Sequence, residues 1–545
     1  MDWTFDPVNY PPAEVKKFIE DLHSKEQKNV LIVDPGIKNL TGYKYYEIGL
    51  VRDIFIKSAK THLPMIGMVW PYHTVFPDFL NPNTQAYWTE SVQDFLNMVP
   101  VDGLWIDMNE VANFCTGDDL STCSYPLPFE PKAEEKEREN IPRRKGFDPN
   151  NPNYKINNAN IEAPLNRKTT SMDAYHSQNV LEYDAHNIYG IAETIATTTA
   201  LEQLTKKRAF VLSRSTYPGS GRHGGHWTGD NYSEWVHLYY SIAGMLNFQI
   251  FGIPYVGADI CGFIKDTTEE LCARWMQLGA FYPFARNHNT LGAIPQEPYL
   301  WPTVAEVSRI ALGIRYSLLP LYYTLNYEAH VQGVAVVRPL FFEYPTDANV
   351  LANDRQFFLG GSILVSPVVT QGAQTVEAYL PRGRWYDYHT HAQISSTGQT
   401  FTFDAPLEVI PLHYRGGAIV LAHYPAYTTA ATRRNKFYLT VALDDAGAAR
   451  GTFYNDDGES LNTSNHTYVT FTATSSDTSG TVTSSGTFGY ITPTVVDSFI
   501  VLGVKSASRV TLNGSNVAFQ FTTGKLTVSP VSATLNSQFV LQWFA

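Results

Sequence analysis

The stretch Gly103-Leu104-Trp105-Ile106-Asp107-Met108-Asn109-Glu110 is a short apolar run that ends on a carboxylate. Ahead of it, Trp88, Val92, Phe95 and Val99 recur at helical spacing, so the pattern predicts an amphipathic helix followed by a buried strand with an acid at its C-terminal end. The same alternation repeats on both sides. Upstream, Pro12 precedes Val15, Phe18, Ile19 and Leu22, four apolar residues on one predicted helical face, and Asn29 to Asp34 then reads as a strand. Downstream, a helix over Ile188 to Leu204 leads into Ala209 to Leu212, the run His226-Trp227-Thr228-Gly229-Asp230-Asn231 supplies another short strand, and Pro254 to Cys261 and Phe281 to Asn287 supply two more. Helices alternating with strands predict a parallel sheet of the α/β class. A (β/α)8 barrel of the TIM-barrel type places its site where strand C-termini meet the βα loops, and Asp107, Arg214, Asp230, Asp259 and His288 all fall at such ends.

Beyond a helical stretch from Val304 to Val331, Gly-Gly, Arg-Gly and Asp-Gly breaks punctuate strand-like text from Phe358 to Val420 and from Thr440 to Phe544. The expected organisation is a barrel over 1–343 carrying a polar inserted loop at about 115–187, a proximal antiparallel β-sandwich over 344–425 and a distal one over 426–545. A dibasic stretch, Arg143-Arg144-Lys145, lies in that insertion. Charge runs are usually solvated surface, and that reading is preferred to proteolytic processing.

The chain has 545 residues, of which 44% are hydrophobic and 13% aromatic, enough for large buried cores. A net charge of −12 disfavours nucleic acid, because phosphate binding relies on clustered cations. No membrane span is expected, since the longest apolar region, Tyr239 to Phe263, is interrupted by Asn247, Gln249, Pro254 and Asp259. The four cysteines fall in two local pairs, Cys115 with Cys123 and Cys261 with Cys272. Two disulfides or four reduced core thiols fit that spacing, and the sequons at Asn39, Asn462, Asn465 and Asn513 favour the oxidised reading. The expectation is a secreted or lumenal protein, vacuolar, lysosome-like or of the cell wall, although Met1 to Asp6 carries no signal peptide.

Asp107 and Asp230 are two carboxylates in similar aromatic settings. Glycosidases need one acid to stabilise or trap an oxocarbenium-like centre and another to protonate the leaving oxygen, while aromatic faces stack on the sugar. Competing motifs fail in context. Gly219 to Gly224 satisfies GxGxxG but opens no helix. His223 and His226 have no further ligand cluster, so neither a metal nor another cofactor is expected. An EF-hand from Asp148 fails because Asn153 and Ala159 occupy its glycine and glutamate positions.

The strings GLWIDMNE, SRSTYPGSGRHGGHWTGDN, GADICGF and ARNHN, in this order, resemble family thirty-one of the glycoside hydrolases, in particular the secretory α-glucosidases or maltases. The resemblance implies a retaining exo-α-glucosidase that acts on terminal α-1,4-linked glucose of maltose and malto-oligosaccharides, with Asp107 as nucleophile and Asp230 as acid/base. It further implies Glu110 as a supporting residue, Arg286 as a supporting residue near the nucleophile, Arg214 as a group that orients a carboxylate or grips a sugar hydroxyl, Asp259 and His288 as hydroxyl-binding groups, and Trp70, Trp105, Trp227, Phe263, Ile37 and Met108 as the apolar wall. The family's usual glycine after Trp70-Pro71 is Tyr72 here. The family also carries a β-sandwich and two strands ahead of the region that Met1 begins, so the expectation is an N-terminally incomplete barrel with a missing N-terminal segment or subunit as partner. An α-glucan lyase, an α-xylosidase and an inactive carbohydrate-binding fragment are the alternatives.

Overall fold

The computed structural model describes residues 2–124, 147–158 and 163–545, and the dibasic stretch at 143–145 lies outside them. The chain divides into two compact units, Met1–His226 and Trp227–Ala545.

In the first unit the predicted alternation is realised as α1 (Pro12–Ser24), β1 (Val30–Val33), α2 (Thr84–Met98), β2 (Gly103–Ile106), α3 (Tyr189–Thr205), β3 (Val211–Ser213) and β4 (Gly225–Trp227), the last of which runs into the second unit. β1, β2, β3 and β4 lie side by side in that order and all run parallel. The register sets Val33 against Ile106 and Ser213 against His226. Asp34, Asp107 and Arg214 each follow a strand directly, so the register delivers all three to the same edge of the sheet. The Asp107 N–H continues the ladder to Val33 O at 3.3 Å, as does the Arg214 N–H to Ile106 O at 3.3 Å. The α2 stripe is buried as expected, with Trp88 at 0% and Phe95 at 4% exposure, against Leu104, Ile106 and Val211. In α1 only Ile19 is fully buried; Phe18 is 57% exposed and turns away from the core face that its spacing suggested. Within the polar insertion, Ala112–Thr116 pairs with Arg167–Thr169, and a disulfide joins Cys115 to Cys123.

The second unit carries α4 (Trp235–Ile250), β5 (Val256–Gly257), β6 (Asp259–Ile260), α5 (Glu269–Gly279), β7 (Arg286–Asn287), α6 (Pro302–Ser317) and α7 (Leu319–Gln332). β6 and β7 are parallel, with Asp259 beside Arg286. The region from Val304 to Val331, read as one helical stretch, is two helices broken at Leu318. Pro320 cannot donate the helical hydrogen bond, and its ring crowds the carbonyl four residues earlier. The Tyr239 to Phe263 region is a helix followed by two short strands, and no helix among the described residues is long and apolar enough to cross a membrane.

Strands from Val337 to Arg415 make a six-stranded sheet and a separate two-stranded one, and strands from Ala418 to Phe544 make a twelve-stranded sheet. A disulfide joins Cys261 after β6 to Cys272 in α5. The buried Arg274 guanidinium ties α5 to the following β region by donating to the carbonyls of Ala373, Ala405 and Pro406. Satisfying a buried cation with carbonyl acceptors is what makes its burial tolerable.

Candidate active site

In the first unit one guanidinium organises the strand ends. Arg214 Nη1 lies 2.9 Å from Asp107 Oδ1. Its Nε and Nη2 donate to Glu110 Oε1 and Oε2 at 2.8 and 2.9 Å, a two-pronged grip. Asp107 Oδ1 also accepts from the Met108 N–H at 2.7 Å. These bonds fix the carboxylate in one orientation. Asn109 binds β3 from the other side: its Nδ2 donates to Ser213 Oγ at 2.9 Å, and its Oδ1 accepts from the Ser215 N–H at 2.8 Å.

Two acids of this edge were not singled out from the sequence. Burial, reinforced by the neighbouring Asp107 and Asp2 charges, holds the Asp34 carboxyl well above the usual carboxylate range. Burial does the same to Glu193 in α3, against an opposing hydrogen bond from Asn109 and with further support from the Asp34 charge. Like charges crowded at one strand edge cannot all ionise cheaply, and both carboxyls are pushed toward the protonated form. Asp34 had the same strand-end signal as Asp107 but no aromatic neighbour to draw attention to it. Glu193 sits in a helix, where nothing local announces its burial.

The aromatic and apolar residues are placed unevenly. Trp70 is 45% exposed and meets Phe114 edge-on, and Trp105 is half-buried on β2. Met108 adopts φ 59°, and its sulfur accepts from Arg214 Nη2 at 3.3 Å. Ile37, expected on the wall, is instead fully buried with Val33 and Val75 in the core and presents no surface to a ligand. Tyr72 adopts φ 68°, a conformation that glycine takes without cost. The Lys38 ammonium spans this turn, 5.5 Å from the Tyr72 ring and bonded to Pro71 O at 2.5 Å.

In the second unit a salt bridge joins the first residues of β6 and β7. Asp259 is buried, and its Oδ1 accepts from Arg286 Nη2 at 2.7 Å and Nε at 3.2 Å. Arg286 is thus engaged with Asp259, and its guanidinium covers the buried Trp227 ring at 5.1 Å. Phe263 stacks on His288 at 5.1 Å. Burial, with help from the Arg286 charge, pushes His288 down to about 4, so its ring is neutral near pH 7 and offers both a donor and an acceptor. Asp230 is exposed and follows Gly229, whose φ of 74° turns the chain after Thr228 bonds to Gly257.

Two amides missed by the sequence reading brace this cluster. Asn231 donates to Asp259 O and accepts from the Phe263 N–H. Gln296 donates to the backbone oxygens of Ile260, Gly262 and His288.

Acidic and aromatic side chains at the C-terminal ends of parallel strands, steadied by arginines, define a barrel protein of the glycoside hydrolase class. Residues 1–325 match the glycosyl hydrolases family 31 TIM-barrel domain, and residues 333–420 match the glycosyl hydrolase family 31 C-terminal domain. The chain belongs to glycosyl hydrolase family 31. It is 46% identical over 461 residues to a probable alpha-glucosidase of Oryza sativa subsp. japonica, covering 84% of this chain and 49% of that protein. It is 41% identical to alpha-xylosidase 1 of Arabidopsis thaliana, covering 94% of this chain and 58% of that protein. A crystal structure of the glucosidase II alpha subunit superposes with a TM-score of 0.84 at 28% identity, over 100% of this chain and 56% of that one. The chain thus spans about half the length of the curated relatives it matches.

Proposed function

We propose that the chain is the catalytic part of a retaining exo-α-glucosidase that removes terminal non-reducing α-1,4-linked glucose from maltose and malto-oligosaccharides. The observation that carries this reading is the Asp107 side chain, fixed by Arg214 and the Met108 N–H at the end of a barrel strand. In the proposed mechanism an Asp107 oxygen attacks the anomeric carbon while Asp230 gives its proton to the departing glycosidic oxygen. The C–O bond breaks, and a glucosyl ester forms on Asp107. Asp230, now a carboxylate, takes a proton from water, whose oxygen attacks the same carbon and restores the free Asp107. Exposure of Asp230 suits a group that exchanges protons with the leaving group and with water. Asp259 and neutral His288 would hold the sugar's hydroxyls.

A second reading, an α-xylosidase, is favoured by the Arabidopsis thaliana relative, which matches more of this chain than the rice protein does. Incubating the purified chain with maltose and, separately, with an α-xylosyl disaccharide decides between them. Glucose release that is lost in Asp107→Asn supports the glucosidase. Xylose release alone supports the xylosidase. Anhydrofructose would reveal a lyase, and a folded chain without product would be a carbohydrate-binding remnant. A secreted or lumenal location is part of the proposal; its support is the pair of disulfides, which persist in oxidising compartments. Finding the chain in the cytosolic fraction of its source cells would refute it.

A further inference from the structure

A cavity of about 320 Å³ opens in the first unit, lined by Glu110, His186, Asn187, Ser215, Thr216 and Tyr217. Its size falls at the lower end of the roughly 300–1,000 Å³ typical of small-molecule sites. The walls are built, not incidental. Gly190 at the start of α3 lets the loop after β3 settle against the helix, since a Cβ there would lie 2.6 Å from Ser215 Oγ. Asn109 holds that loop through the Ser215 N–H at 2.8 Å, and Ser220 Oγ accepts from the Tyr217 N–H at 3.0 Å. His186 is anchored through Nδ1 to Glu182 at 2.8 Å. Burial would raise the Glu182 carboxyl, but its hydrogen bonds to His176 and His186 pull it down to about 2. The anchor is therefore a carboxylate, to which Nδ1 donates.

The lining chemistry selects its ligand. Among the described residues no lysine or arginine lines the cavity, and Glu110 would repel an anion. No aliphatic side chain lines it either, which disfavours a hydrophobic guest. What remains is a carboxylate, an imidazole, an amide and three hydroxyls, together with the ring of Tyr217, which is 44% exposed. Dense acceptors and donors beside one aromatic face suit a neutral sugar ring. Glu110 also connects the cavity to Asp107, because both carboxylates share the Arg214 guanidinium.

We propose that this cavity is a subsite for a sugar residue of the oligosaccharide other than the one whose bond is cleaved, with Tyr217 as its stacking platform and Asn187 and His186 as hydroxyl partners. It rests on the carbohydrate reading of the site above and adds a chain-length preference to it. The test is calorimetric titration of maltose and of maltopentaose into Asp107→Asn, with and without a second change, Tyr217→Ala or Asn187→Ala. The expected result is that each second change weakens maltopentaose binding about five-fold, the size expected for one lost stacking or hydrogen-bonding partner, while maltose changes less than about two-fold. Equal weakening for both sugars, no weakening, or no binding of maltopentaose to a folded Asp107→Asn chain would overturn the proposal. Glucose release by the unmodified chain is scored separately, so loss of the catalytic reading and loss of the subsite are told apart.

Discussion

Arg214 spends one guanidinium on two carboxylates, gripping Glu110 with two nitrogens and Asp107 with the third. A lysine ammonium is a point charge on a flexible stem and cannot satisfy that fork. Arg214→Lys should therefore leave the fold intact and lower kcat on maltose by about 10- to 100-fold, the equivalent of one lost charge-assisted bond; initial rates at saturating substrate check it, and an unchanged kcat would remove Arg214 from the account. Asp34 gives a prediction with the opposite chemistry. Its carboxyl is held well above the usual carboxylate range by burial and by Asp107 and Asp2. A carboxyl raised in this way favours folding most at acid pH, below its unfolded value, and loses that contribution as pH rises toward its folded value. Asp34→Asn, which cannot ionise, should gain in melting temperature relative to the unmodified protein as pH rises from about 4.5 to 7, in scans at both values. A difference that does not change with pH would show that Asp34 ionises normally in the fold.

Short elements position these side chains, and their tolerances are correspondingly tight. Gly257 in β5 lies where an added Cβ would come within 1.9 Å of Phe284 O, whereas Gly313 in α6 has nothing within 4 Å. Gly257→Ala should cost about 1–3 kcal/mol or more through overpacking against backbone. Gly313→Ala should add about 0.5–1 kcal/mol through helix propensity. Denaturant midpoints test the pair, and equal effects would contradict the packing. The contrast also bears on what was legible beforehand. The strand end at Asp107 could be read because a short apolar run closing on an acid is a local pattern. So could the α2 stripe, whose residues are all buried against one face. Asn109, Asn231 and Gln296 could not be singled out, because an amide becomes a brace only when distant backbone arrives beside it. The exposure of Phe18 and the full burial of Ile37 were likewise set by neighbours supplied from elsewhere in the chain. The break at Leu318 had its cause written in Pro320, and there apolar continuity outweighed the breaker.

Taken whole, the chain joins a parallel-stranded region to largely antiparallel sheets, and covalent links close short loops in both compact units. Reducing Cys115–Cys123 and Cys261–Cys272 should lower the unfolding temperature, each bond contributing about 2–4 kcal/mol by restricting the unfolded chain; calorimetry with and without reductant checks this, and coincident transitions would contradict it. Everything proposed about activity converges on Asp107, and the most direct test is the anomeric form of the first glucose released from maltose. Two displacements at the same carbon retain configuration. The proton NMR spectrum in the first minutes should therefore show α-glucose from the newly cleaved end ahead of mutarotation, with the signal absent in Asp107→Asn. β-Glucose in excess of that supplied by maltose's reducing end, or α-glucose released at an unchanged rate by the variant, would contradict a covalent intermediate on Asp107.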